Sequence, residues 1–399
     1  MKLWQNKSKL NKKIEEFTVG NDFLLDKKLV KYDCIASIAH AKMLKKIKVL
    51  NKKECSKIIE ALNEIIKLDS KGKFLIKLDD EDCHTAIENH LVKKLGSTGK
   101  KIHFARSRND QVLTALRLYC RKEAEEIIEL IEELIKELVL FKGKYGETKM
   151  PGYTHMRKAM PSSVGLWSES FIESMKDNKK LTEFVMEQLN QNPLGTGAGY
   201  GVPNKIDRKL TTELLGFKKI QKNPIYVQNS RGKLESSLIH ALNQTMFDLN
   251  KMASDLILFS MEEFGYFRLA AEICTGSSMM PHKKNPDALE LLRAKYHYCL
   301  SCEFQLKTLI SNLPSGYNRD LQLTKEPLIK AIETAKESLK IMKLILKKVE
   351  VNEHECLKGI TKEMYSTKKA IELARKGIPF REAHSKISGE IFYAAAKNN

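Results

Sequence analysis

The chain has 399 residues, 42% hydrophobic and 30% charged, with a formal net charge of +19. This is the composition of a soluble globular protein of two or three domains with material for a sizeable core. No apolar run approaches the roughly 18 residues of a membrane span, and Met1-Lys-Leu-Trp-Gln-Asn-Lys-Ser-Lys9 lacks the apolar stretch of a signal peptide. Eight scattered cysteines offer no metal-ligand spacing beyond Cys299-x-x-Cys302, which falls in a helical pattern. They point to a reducing cytoplasm and to no metal site. The lysines are spread along the chain without a zinc-finger, RRM or KH pattern. Their charge therefore reads as a solvated surface that attracts anionic substrates, with no nucleic-acid or membrane partner.

Residues 1–105 carry short elements and form an N-terminal domain. Within it, Asp79-Asp-Glu-Asp-Cys-His84 and Glu88 place Asp80, His84 and Glu88 at i, i+4, i+8. That spacing is one helix face, either a structural helix start or a metal site. His103-Phe-Ala-Arg-Ser-Arg-Asn-Asp-Gln111 sets two arginines at a helix entrance, where they can clamp a carboxylate, cap the helix through Asn109 or Asp110, or both. Residues 111–142 then keep a helical apolar period through Val112, Leu116, Ile127, Ile131, Leu134 and Leu138 without glycine or proline. Similar patterns cover 164–190, 233–264, 286–312 and 325–350. The fold expected is all-α, with an elongated central helical bundle over 106–350 and a small helical C-terminal domain over 351–399. Several of these helices are apolar on more than one face, as at Leu256-Ile-Leu-Phe259, which predicts oligomerisation.

Glycine and proline mark the junctions, and reactive side chains sit in them. Pro151-Gly-Tyr-Thr-His155 holds a histidine suited to acid–base work or to a structural role. Gly195-Thr-Gly-Ala-Gly199 lacks a dinucleotide fingerprint and a preceding strand pattern, so it reads as tight backbone packing. Tyr317-Asn-Arg-Asp-Leu-Gln322 and Lys325 put polar groups at the start of the last long helix. Thr275-Gly-Ser-Ser-Met-Met-Pro-His-Lys-Lys-Asn-Pro-Asp287 is the most reactive stretch. Gly276 and Pro281 make it a loop, Ser277 is a candidate proton-transfer group, and Lys283 and Asn285 are candidate anion stabilisers. A plain lysine-rich surface loop is the alternative.

The string Gly-Ser-Ser-x-Met-Pro-x-Lys-x-Asn-Pro resembles the signature of the fumarase/aspartase superfamily. With Ser37-Ile-Ala-His-Ala-Lys-Met43, Asp80-Glu-Asp-x-His84, Arg106-Ser-Arg-Asn-Asp-Gln-Val112, Gly152-Tyr-Thr-His155, Tyr317 to Gln322, Lys376-Gly-Ile-Pro-Phe-Arg-Glu-Ala-His384 and Met1-Lys-Leu-Trp4, the chain is similar over nearly its whole length to the argininosuccinate lyase family.

The resemblance implies a cytoplasmic homotetramer, with each site built from three subunits. It implies reversible, cofactor-free β-elimination of argininosuccinate to arginine and fumarate, as in arginine biosynthesis. It assigns Ser277 as base, Lys283 and Asn285 as stabilisers of the aci-carboxylate, His155 as acid or relay, and Glu290 as the group that orients His155. Arg108, Asn109, Thr154, Ser278, Tyr317, Gln322, Lys325 and, on a looser match at Gln228-Asn-Ser-Arg-Gly232, Arg231 would bind substrate. The chain departs from the family at Gly20 (often serine), Phe104-Ala105, Arg157, Met160 and His282, and it is somewhat short near its C-terminus. These departures leave elimination of fumarate intact and keep open an alternative, a related lyase for another N-succinyl compound.

Overall fold

The computed structural model describes residues 10–396, with side chains to residue 391; the Met1-Lys-Leu-Trp4 match lies outside the described residues. The N-terminal part holds α1 (Lys12–Val19), α2 (Val30–Lys46), α3 (Lys52–Ser70) and α4 (Cys83–Leu95). Each start has a local cause. Asn51 and Glu54 form a capping box on α3, and the Asp82 carboxylate caps α4 by accepting the Thr85 N–H at 2.8 Å. Leu44, Ile58, Leu62, Ile65 and Leu91 lie fully buried among these helices, each worth about 1.5–3 kcal/mol of burial.

The five long helices are α5 (Arg108–Tyr145), α6 (Val164–Leu189), α7 (Lys233–Phe259), α8 (Asp287–Leu309) and α9 (Lys325–Leu346). The all-α expectation holds. Two predicted helices run too far, for identifiable reasons. Beyond Phe259 the apolar Met261 and Phe264 extend the helical period, but Gly265 turns the chain at φ +58° with its N–H on the Met261 carbonyl at 2.7 Å. Beyond Leu346, Val349–Val351 leaves the helix and pairs antiparallel with Phe267–Leu269. α10 (Ser366–Arg375) and α11 (Phe380–Ala396) close the chain.

The described chain divides into two compact units. One takes the segments up to Ile128, Lys180–Asn243 and Tyr298–Ala335; the other takes Glu129–Lys179, Gln244–His297 and the segment from Lys336. The first contains Arg108, Asn109, Arg231, Tyr317, Gln322 and Lys325. The second contains Thr154, His155, Ser277, Ser278, Lys283, Asn285 and Glu290. The second also carries an aromatic cluster, with Trp167 against Phe267 at 5.4 Å and Phe171 at 5.2 Å, and Phe259 edge-on to Phe267 at 5.7 Å.

Candidate active site

In the first unit a polar recess is lined by Asp22, Glu81, Asp82, Arg108, Asn109, Arg231, Tyr317, Arg319, Gln322 and Lys325, with Val112. Five of these residues, Asp22, Glu81, Asp82, Arg319 and Val112, were not among the expected binding residues. The acids orient the cations. Arg108 donates Nη1 to Glu81 at 2.9 Å and Nη2 to the Thr85 hydroxyl at 3.2 Å, and its Nε lies 3.0 Å from Asp82. Burial opposes its charge, but Asp82 and Glu81 outweigh that and hold its pKa above the usual arginine value. Lys325 is almost fully buried and donates to Asp22 at 2.9 Å and Asp26 at 2.6 Å. Here too burial is outweighed by the two carboxylates, and the ammonium is held above the ordinary lysine value. An ammonium has three donors, so one remains for the recess. Arg231 stacks over the Tyr317 ring at 5.7 Å. Gln322 donates to the Thr18 and Val19 carbonyls at 3.0 and 3.1 Å, seating the end of α1 on the recess.

That seat explains Gly20. It closes α1 at φ 51°, ψ −131°, a backbone conformation that glycine alone takes readily. A serine at this position would require the backbone to move.

The Asp80–His84–Glu88 face does not form. α4 begins only at Cys83, and Asp80 lies in the preceding tight turn. Asp80 accepts from Asn89 at 2.9 Å, Glu88 meets His103 at 3.1 Å, and His84 pairs with Asp33 at 3.2 Å. Asp26, Cys83 and His84 bring donor atoms within 4.8 Å of one another. Both Asp26 oxygens already accept, one from Lys325 and one from the Cys83 N–H at 3.1 Å, so the group reads as a charge network.

Burial opposes the His84 imidazolium, but Asp33, with Asp82 and Asp26, raises its pKa above the ordinary value. A raised folded pKa contributes stability that is complete below the unfolded value of about 6.5 and is lost as pH rises through the folded one. The thermal midpoint of the wild type is therefore expected to fall on alkalinisation from about pH 6.5, and to fall less in Asp33→Asn/His84→Gln. Parallel pH curves would remove His84 as the titrating group.

The cap of α5 is Ser107, not Asn109 or Asp110. Ser107 Oγ accepts the Asn109 N–H at 3.3 Å, while Asp110 Oδ1 accepts the Ser107 N–H at 2.9 Å. The other Asp110 oxygen accepts the N–H groups of Gly195 and Gly197 at 2.9 and 3.0 Å. The glycine loop thus cradles an anion, and the anion is the protein's own carboxylate. A two-residue strand, Gln191–Asn192, does precede it, paired parallel with Lys219–Ile220.

In the second unit the Pro151–His155 junction is a hairpin rather than a linker. β1 (Lys149–Thr154) and β2 (Arg157–Ser163) pair antiparallel around a two-residue turn, His155-Met156. Both turn residues have positive φ, 52° and 57°, the geometry of a type I′ turn, which usually takes Asn-Gly. A histidine held there without glycine points to function. The Tyr153 hydroxyl anchors the hairpin on that of Tyr266 at 2.7 Å.

The serine segment is a second hairpin, β3 (Thr275–Gly276) with β4 (Lys284–Asn285), tied at its base by Thr275 to Asp287 and by Asn285 Nδ2 to the Gly276 carbonyl at 3.4 Å. At its tip, Ser277 Oγ accepts the N–H groups of Met279 at 3.3 Å and Met280 at 3.0 Å. Thr154, His155, Ser278, Lys283 and Glu290 are all exposed. Among the described residues no hydrogen bond or ion pair joins His155 to Ser277, Lys283 or Glu290.

Residues 1–298 match the family described as "Lyase". The chain is 51% identical over 387 residues to an argininosuccinate lyase of Thermotoga neapolitana, covering 97% of each chain. The chain belongs to the argininosuccinate lyase family. A second family member, from Bacteroides thetaiotaomicron, is 41% identical over 390 residues, which span 98% of this chain and 87% of that one. A solved EDDS lyase variant with bound fumarate superposes with a TM-score of 0.83 at 21% identity, covering 98% of this chain and 78% of the other; at that identity the likeness shows the fold alone.

Proposed function

We propose that the chain catalyses reversible β-elimination of argininosuccinate to arginine and fumarate, as a cytoplasmic enzyme of arginine biosynthesis. The observation that carries the chemistry is the Ser277 oxygen, which receives two backbone N–H groups in a hairpin that also bears Lys283. An unassisted serine hydroxyl is too weak a base; converging donors stabilise its alkoxide. Ser277 Oγ takes the proton from the carbon beside the succinyl carboxylate. The electron pair spreads into that carboxylate as an aci-form, which Lys283 and Asn285 stabilise. The C–N bond then breaks, its electrons leave with the guanidino nitrogen, and a proton from the His155 side completes arginine as the double bond of fumarate forms. Glu290 orients His155. Thr154, Ser278 and the recess residues Arg108, Asn109, Arg231, Tyr317, Gln322 and Lys325 hold the substrate.

The active form we infer is a homotetramer whose sites combine residues of several copies. Each long helix exposes large apolar groups, among them Leu140, Leu166, Phe247, Phe304 and Leu344. All eight cysteines are free thiols, in keeping with a reducing compartment, and no helix among the described residues is long and apolar enough to cross a membrane. Purified protein should sediment as four chains and release fumarate from argininosuccinate, followed by ultraviolet absorbance. Silence with argininosuccinate but release from adenylosuccinate or aspartate would favour the alternative that Gly20 keeps open, a lyase for another N-succinyl compound.

A further inference from the structure

The turn Asp82–Thr85 serves both cations that the recess depends on. Asp82 and Thr85 hold Arg108, and the Cys83 N–H holds the Asp26 oxygen that Lys325 does not use. His84, between them, lines no part of the recess and instead points back to Asp33 on α2 at 3.2 Å, with both side chains almost wholly buried. We propose that the His84–Asp33 pair is a positioning element for substrate binding: it pins the Asp82–Thr85 turn to α2 and so fixes Lys325 and Arg108 at the recess.

Charge balance carries the argument as far as geometry does. Asp22, Asp26 and Asp33 are all buried, and the cations set among them are Lys325, Arg106 and His84, with Arg231 facing Asp22 and Asp82 facing His84. Arg106 donates Nη1 to Ser37 at 2.8 Å and feels Asp110 and Glu88 as well as Asp33. It is therefore shared, and Lys325 is committed to Asp22 and Asp26. With His84 neutral or absent, Asp33 keeps only the shared charge of Arg106. A buried unpaired charge is costly, and it is relieved by a shift of its neighbours: the first turn of α4 around Asp82–Thr85, which carries His84, and with it Asp26 and Lys325. His84 touches neither substrate nor reacting atoms, and its loss should register in binding rather than in the proton-transfer step.

The proposal rests on the reading that Lys325 binds substrate, and the test separates the two. His84→Gln and Asp33→Asn, each assayed as the tetramer with argininosuccinate, are expected to raise KM about tenfold or more while kcat changes far less. The double variant places two neutral amides where two charges stood, and should return KM to within about threefold of wild type. Single variants with normal KM overturn the proposal. So does a double variant as impaired as the singles combined, which would indicate mere loss of packing. Should either single fail to assemble, the double still decides: a folded double with near-normal KM upholds charge balance, and one with KM raised about tenfold refutes it. Lys325→Arg keeps the charge but changes the reach. A normal KM there overturns the substrate role of Lys325 itself, whereas a raised KM there with unchanged singles overturns only the positioning role.

Discussion

Ser277→Ala is expected to lower kcat by about 10²–10⁴-fold, the usual contribution of a positioned base, with the oligomeric state and the denaturation midpoint unchanged. The two halves of this expectation have separate physical grounds. The Oγ is the acceptor of two backbone N–H groups, and removing it deletes the group we propose as proton acceptor. The donors are in an exposed loop, so water replaces the lost acceptor at little cost, and surface changes of this kind stay within about ±0.5 kcal/mol. The fold of the hairpin rests on Thr275, Asp287 and Asn285, not on Ser277. Steady-state kinetics beside light scattering decides the matter. Turnover within about threefold of wild type would take Ser277 out of the proton-transfer role. A changed oligomeric state would show that the hairpin is structural.

The features legible in the sequence were those with a local cause. The long helices declared themselves because α5 runs 38 residues with its apolar period unbroken, and α8 starts where Pro286 ends the preceding strand. The serine segment declared itself because its residue types have few other reasons to be adjacent. The hairpin around His155 stayed hidden: Pro151 and Gly152 read as a linker, the register slips between Pro151 and Tyr153, and a type I′ turn without Asn or Gly carries no local signature. The end of α7 is hard to read because Met261 and Phe264 fit the helix period, whereas the chain leaves the helix after Phe259 and closes a separate turn from Met261 to Gly265. Least legible was the charge network. Asp26 and Lys325 lie 299 positions apart, and no period or motif relates them. His84 was noticed for the wrong neighbours, since i+4 spacing predicted Asp80 and Glu88 where the fold supplies Asp33. The same limit explains the glycine loop. Its glycines read as tight backbone packing, and nothing local shows that their N–H groups hold Asp110, 85 and 87 positions away.

Lys325→Met should cost about 3–5 kcal/mol of stability, the penalty for breaking a buried ion pair from one side. Methionine is close to lysine in length and lacks the charge, so the cost is chiefly electrostatic and not one of packing. What remains is Asp26, with no exposed surface, and Asp22, nearly buried, without the ammonium that both accept. The pH dependence identifies the cause. In the wild type burial works against the Asp26 carboxylate, but Lys325 and His84 outweigh it and hold its pKa below the usual range. Its stabilising share is therefore present above the unfolded value of about 3.9 and lost as pH falls through the folded one. In the variant burial meets less opposition, the Asp26 pKa moves up, and protonation now relieves the protein. The stability gap between the two should narrow on acidification toward about pH 5. Urea denaturation at fixed protomer concentration, at neutral pH and near pH 5, measures it. A gap of the same size at both pH values would mean that the buried carboxylates are not what the lysine compensates. Lys325→Met/Asp26→Asn separates these accounts further, since removing the orphaned charge should recover part of the loss if electrostatics sets it and recover nothing if packing does.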